Sequence, residues 1–346
     1  MLSRRALLAG AAATAPALLG AAPAAAERRV LHVRPGDSVQ SAVDAVTGPG
    51  QTIVVHPGVH REAVTVPAGT TDLTIRGAVA DPRAAVIVFD RAAGTPLPDG
   101  SGTYGTAGSA TLTSAAAGLT LRDLTVANDW LRADHPETTG TQAVAAYLTG
   151  DRTRVENVRL LGHQDTLFAD TTALDVFGRQ HFDRCHIEGD VDFVFGRATA
   201  VFTRCRFHTL ARDVDFTPKG MVFAPSTARA NPRGFLATGC RFTSAAEDGA
   251  YKLARPWVPS YETTARPALI VRDSRIGPGI DPVAPYVNMR DAYPWQSMRF
   301  HEYRNTGPGA VTTVPDNRPQ LTAAEAGAHT PAVYLGDWRP HPHRSL

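Results

Sequence analysis

Short apolar runs broken by polar or glycine-containing turns recur along most of this chain, and stripes at helical spacing are few. T-I-V-V-H at 52–56, A-V-T-V at 63–66 and L-T-I-R-G at 73–77 read as strands. Pro57-Gly58 and Pro67-Ala68-Gly69 divide them as turn signals. Farther on a degenerate six-residue unit returns: L-R-D-L-T-V at 121–126, V-E-N-V-R-L at 155–160, F-D-R-C-H-I at 182–187, F-T-R-C-R-F at 202–207, A-T-G-C-R-F at 237–242 and V-R-D-S-R-I at 271–276. Aligned on the fourth residue, the units are anchored at Leu124, Val158, Cys185, Cys205, Cys240 and Ser274, with spacings of 34, 27, 20, 35 and 34 residues. A self-similar strand at such intervals predicts an all-β solenoid, one continuous domain of stacked coils with loops of variable length.

Two segments depart from the strand pattern at the ends. In D-S-V-Q-S-A-V-D-A-V, 37–46, Val39, Ala42, Val43 and Val46 fall at helical spacing. With Asp37 and Gln40 as a capping-box-like pair, this predicts a short helix closing the first coil. Thr322 and Glu325 form a second capping box, opening an alanine-rich helix expected to stop before Pro331. The Gly-, Ser-, Thr- and Pro-rich stretch 91–109 and the polar stretch 129–141 read as loops leaving the coils, and past Ser274 the repeat fades.

The repeat also locates candidate chemistry. G-H-Q-D-T-L-F at 162–168 and G-D-V-D-F-V-F-G at 189–196 place Asp165 seven residues after Val158 and Asp192 seven after Cys185. Stacked coils then put the two carboxylates on adjacent rungs, about 4.8 Å apart. At that distance they cannot both ionise freely, which gives an acid beside a nucleophile or base. An aspartate in a coil also serves as a turn cap or an arginine partner, and the residues alone leave that reading open.

Export changes the picture more than composition does. The start M-L-S-R-R-A-L-L, an alanine-rich apolar run and Ala24-Ala25-Ala26 read as a twin-arginine signal cleaved after Ala26, leaving 27–346 as the mature domain. Without Arg4 and Arg5 the chain carries 33 basic and 33 acidic side chains. This balance argues against a nucleic-acid partner and against wholesale capture of a polyanion. No later stretch is long and apolar enough to hold the mature chain in a membrane. Cys185 and Cys205 occupy equivalent positions on neighbouring coils, so oxidising conditions favour a disulfide between them, with Cys240 a free thiol; a ladder of reduced cysteines is the alternative. No P-loop, G-x-G-x-x-G or H-E-x-x-H motif appears, and neither cofactor nor metal is expected. The two histidines of the tail R-P-H-P-H-R-S-L read as part of a terminal segment rather than a metal site.

The motifs together resemble those of the pectin methylesterase (pectinesterase) family, particularly its bacterial secreted members. They are G-V-H-R-E at 58–62, Y-G-T-A-G-S-A-T-L at 104–112, T-Q-A-V-A at 141–145, H-Q-D-T-L-F at 163–168, V-D-F-V-F-G at 191–196, L-A-R-P-W at 253–257, F-H-E-Y-R-N-T-G-P-G-A at 300–310 and L-G-D-W-R-P at 335–340. The chain departs from the family at His60 and Phe168, where Tyr is usual, and at Ala254, where Gly is usual; Phe168 lacks a hydroxyl that could touch substrate.

The resemblance implies a right-handed parallel β-helix that hydrolyses the C6 methyl esters of polygalacturonate. A monomer is expected because the end caps leave no obvious pairing edge. The resemblance further implies Asp192 as nucleophile, Asp165 as general acid and then base, Arg255 as the group that keeps Asp192 ionised, and Gln142 and Gln164 as oxyanion donors. The family suggests Phe195 and Trp257 as apolar platforms for a sugar chain; Phe168 is a further substrate-binding candidate, with Thr106 and Met289 at the rim. Read without the family, buried glutamines satisfy backbone groups, Arg-Pro-Trp makes a surface turn and the aromatic residues are core. His163 invites a triad reading, but no G-x-S-x-G elbow accompanies it, and it is given no catalytic role. Competing functions are a lyase or glycosidase on the same scaffold, a β-helix esterase retuned for another ester, and an inactive polysaccharide-binding solenoid. The last is disfavoured because all five matched positions carry the functional residue type.

Overall fold

Each full coil of the chain gives one short strand to each of three parallel sheets, of ten, eight and seven strands. The structure is a computed structural model describing residues 29–340. The signal segment 1–26 and the tail histidines His341 and His343 lie outside the described residues. One coil runs through Thr153–Glu156, Arg159–Leu161 and Leu167–Ala169. The next runs through Arg179–Asp183, His186–Gly189 and Val194–Gly196, paired in parallel register with the first. The architecture is a parallel β-helix.

The six-residue unit is the corner between the ten- and eight-stranded sheets. Its third residue is Asp123, Asn157, Arg184, Arg204, Gly239 or Asp273, and every one has φ between 48° and 64°. That left-handed residue turns the chain from one sheet into the next. Its fourth residue points inward, and all six anchors are buried. Aromatic side chains stack within the bore in the same register: Phe182 pairs with Phe202 on the next coil, their ring centroids 4.7 Å apart at 18°. Truncating Phe202 to Ala would cost about 3–5 kcal/mol by opening a cavity there.

The expected Cys185–Cys205 disulfide is not formed; all three cysteines are free and buried. Aligned residues on neighbouring coils point the same way, so their Cβ atoms stand about one strand spacing, 4.8 Å, apart. A disulfide draws Cβ atoms to about 3.5–4.5 Å. The thiols instead donate to carbonyl groups of the preceding coil, Cys185 to Val155 and Cys205 to Phe182 at 3.4 Å, and Cys240 to Phe202 at 3.5 Å.

The first helix, Val39–Asp44, forms where expected, but Ser38 is its cap. Glu62 reaches over from the strand Gly58–Arg61 to accept from the Val39 and Gln40 amides, so a distant carboxylate does the work assigned to Asp37. The Thr322–Glu325 capping box forms as read. Pro331 does not end the chain's helical part; it starts a further helix, Pro331–Leu335, in the first position where a missing amide hydrogen costs nothing. The repeat also outlasts Ser274. Arg299–Tyr303 adds a tenth strand to the largest sheet, Arg304 takes φ 52° at the corner, and Asn305 accepts from the Ser274 amide at 3.0 Å.

Candidate active site

The corner between the eight- and seven-stranded sheets carries both aspartates in left-handed conformations, Asp165 at φ 66° and Asp192 at φ 49°. Aspartate tolerates this region better than most residues. The Asp165 amide donates to the Val191 carbonyl at 3.0 Å, which locks the two corners together one rung apart. Gly189 is needed beneath them, because a Cβ there would lie 2.5 Å from the His163 carbonyl oxygen.

Past this corner the strands present one outward column in register: Thr113, Tyr147, Phe168, Phe195 and Ala224. Tyr147, Phe168 and Phe195 stack, with centroids 4.6 and 4.1 Å apart, and the Trp257 ring meets Phe195 at 5.7 Å. Met289 packs against the same apolar cluster. Beside it opens a cleft of about 530 Å³, and all ten residues singled out from the sequence line it: Thr106, Gln142, Gln164, Asp165, Phe168, Asp192, Phe195, Arg255, Trp257 and Met289. Phe168 and Phe195 are nonetheless buried, so they form the cleft's wall from within the packing rather than standing free.

Arg255 binds Asp192 as a fork, its Nε 2.8 Å from Oδ1 and its Nη2 2.6 Å from Oδ2. Such charge-assisted pairs hold a carboxylate in its ionised form and in one orientation. Asp165 has no arginine on it. Burial, and then the charge of Asp192, push its carboxyl well above the usual range. Burial also raises Asp192, but the Arg255 bonds and charge oppose it, so Asp192 is the one that ionises first. Gln164 accepts at Oε1 from the Thr141 hydroxyl at 2.7 Å, which turns its NH2 group away from Thr141.

Several contributors were not read from the sequence. Asp190 is buried next to the pair; burial opposes its charge, but His163 at 3.8 Å and a bidentate contact from Arg132 outweigh that and bring it well below the carboxylate range. His163 therefore sits against a structural carboxylate. Ala224 and Tyr261 also line the cleft. Tyr261 has no motif around it, whereas Asp190 stands beside Asp192 in G-D-V-D-F, a signal that could have found it. Of the departures from the family pattern, His60 is buried against the Asp37 carbonyl, outside the cleft lining, and Ala254 is in the core. Among the described residues no three His, Cys, Asp or Glu side chains converge as a metal-binding group.

A parallel β-helix with an arginine-held carboxylate, a second buried carboxyl one rung away and two glutamine side chains in one cleft belongs to the class of β-helical ester hydrolases. The Pectinesterase family model matches residues 35–337, and the chain belongs to that family of carboxylic ester hydrolases. It is 33% identical to a pectinesterase of Ralstonia solanacearum over 307 residues, 79% of this chain and 76% of the relative. It is also 33% identical to pectinesterase A of Dickeya dadantii over 345 residues, 88% of this chain and 89% of the relative. Among solved structures, pectin methylesterase PemA from Erwinia chrysanthemi superposes with a TM-score of 0.78 at 29% identity, covering 92% of this chain and 99% of the other. A pectin methylesterase in complex with a hexasaccharide matches equally, TM-score 0.78 at 30% identity, with coverages of 88% and 94%.

Proposed function

We propose that this chain removes the C6 methyl esters of polygalacturonate, releasing methanol and leaving free carboxylates. The observation that carries this reading is the asymmetry of the aspartate pair: Arg255 grips Asp192, while burial and the Asp192 charge push Asp165 well above the usual carboxylate range. Asp192 attacks the ester carbonyl carbon. The oxyanion that forms accepts hydrogen bonds from the amides of Gln142 and Gln164, a type of contact that lowers such barriers by about 3–4 kcal/mol per donor. The tetrahedral centre collapses, the methoxide oxygen takes the Asp165 proton and methanol departs, leaving an acyl anhydride on Asp192. Asp165, now a carboxylate, deprotonates a water that attacks the same carbon. Collapse returns the Asp192 carboxylate, frees the C6 acid and leaves the proton on Asp165. Every proton in the cycle comes from a side chain or water.

The names of the relatives and the hexasaccharide-bound neighbour support a polysaccharide substrate, and the aromatic wall of Phe168, Phe195 and Trp257 offers an apolar side to sugar rings. The mature chain is read as a single-domain exported monomer whose twin-arginine segment is removed. The test is methanol release from highly methylated pectin, with viscosity followed and a small aryl ester as control. Methanol released at constant viscosity supports the reading. Falling viscosity points to a lyase or glycosidase, and hydrolysis of the aryl ester alone to an enzyme retuned for another ester through Phe168.

A further inference from the structure

The fifth residue of the six-residue unit is Thr125 in the first coil and Arg159, His186, Arg206, Arg241 and Arg275 in the five that follow, and these five stand directly opposite one another in the eight-stranded sheet. At about 4.8 Å per rung they form a stripe about 19 Å long on the outer surface. Arg206, Arg241 and Arg275 are exposed, while Arg159 and His186 are half-buried. Like charges opposite one another destabilise a sheet unless something neutralises them.

The nearby acids offset the charge only at the Arg159–His186 end, where Asp81 and Glu188 lie close to Arg159. Glu188 is engaged by His186 at 2.7 Å, Asp81 by Arg83, and Asp183 by Arg184 and Arg204. Among the described residues Arg159, Arg241 and Arg275 have no ion pair or side-chain hydrogen bond at all, and Arg206 donates only to the Thr243 hydroxyl. Two open grooves follow the stripe, one of about 510 Å³ along Arg159, His186 and Arg206, the other of about 340 Å³ along Arg241 and Arg275. Neither has an exposed aromatic side chain, the platform on which single-stranded nucleic acids stack their bases. The even totals of basic and acidic residues conceal this segregation.

We propose that the stripe is a docking site for de-esterified polyuronate, the polyanionic product of the reaction assigned above, on which this inference rests. Guanidinium groups bind carboxylates through paired hydrogen bonds. A carboxylate newly formed at the reacting position lies against the ionised Asp192, which favours its leaving that point of the cleft. Arg159 and His186 lie six residues before Asp165 and Asp192 on the same coils, no more than about 20 Å along the chain. One polymer can therefore occupy the cleft with its esterified part and the stripe with its hydrolysed part.

The test measures binding of the folded protein to fully de-esterified polygalacturonate at low salt, which involves no ester. The parent is compared with the triple variant Arg206→Gln, Arg241→Gln, Arg275→Gln and with the same three positions changed to Lys. Methanol release from a short, fully methylated, uncharged oligomer is followed in parallel. The stripe predicts more than tenfold weaker binding by the Gln triple, substantial retention by the Lys triple, and methanol release within twofold of the parent for both. Parent and Gln triple binding within twofold of each other, or no binding by the parent, overturns the site. Capture of double-stranded DNA by the parent as tightly as polygalacturonate overturns the assigned occupant. Absence of methanol release from the parent would instead sink the catalytic reading, whatever the binding shows.

Discussion

Arg255 reaches Asp192 from two rungs away, across the coil occupied by Ala224. The side chain at 224 lies in register between Phe195 and the end of the strand Tyr251–Ala254, and its single methyl group leaves room for the guanidinium. Ala224→Leu should push the fork off Asp192 without touching either partner. Arg255→Lys should keep the charge but lose the paired hydrogen bonds. Each is expected to lower kcat/KM on the order of tenfold to hundredfold, the worth of one or two hydrogen bonds to a charged group. Ala224→Leu with unchanged kinetics would show that the fork does not matter.

The pH profile follows from the unequal aspartates. Attack needs Asp192 ionised, so activity falls as the medium is acidified through its pKa, which burial holds above the ordinary value of 3.8. Departure of methanol needs Asp165 protonated, so activity falls again as pH rises through its still higher pKa. The expected profile is a bell. Arg255→Lys should move the acid limb upward, because a weaker partner favours the charged form less. An acid limb that moves downward would contradict the pairing.

Stability should move opposite to activity at Asp165. Its folded pKa lies above the 3.8 of the unfolded chain, so the unfolded state ionises more readily. The penalty is absent below about pH 4, grows as pH rises towards the folded pKa, and is constant beyond it. Asp165→Asn removes it and, since asparagine also tolerates positive φ, should melt a few degrees above the parent at pH 7 and level with it in acid. Melting curves at the two pH values check this; a variant less stable at pH 7 would refute it.

Thiol chemistry offers a separate check on the fold. Titration of denatured, unreduced protein should find three free thiols, and a reductant should leave the melting temperature unchanged. A single titratable thiol would mean that the ladder closes into a bridge.

The repeat was legible because two of its positions are constrained locally: a third residue that accepts positive φ and a fourth that must be small or apolar. Asp165 and Asp192 followed by counting from those anchors. What stayed hidden depends on space rather than on residue type. The repeat aligns the Cys185 and Cys205 side chains; what it leaves out is that parallel side chains one strand spacing apart stand farther apart than a disulfide allows. Asn305 closes one more coil, but the proline- and glycine-rich chain after Ile276 masks its relation to Ser274. Ala224 acts by lacking a side chain beyond Cβ, and Glu62 caps a helix 22 residues before it in the chain, a contact that only the coil brings about.

The most direct test of the division of labour compares Asp192→Asn and Asp165→Asn on highly methylated pectin, with circular dichroism showing both folded. Asp192→Asn should release no measurable methanol, since the attacking carboxylate is gone. Asp165→Asn, which keeps the nucleophile and loses the proton donor, should retain a trace, about 10²–10⁴-fold below the parent. A folded Asp192→Asn protein within tenfold of the parent would contradict the assignment.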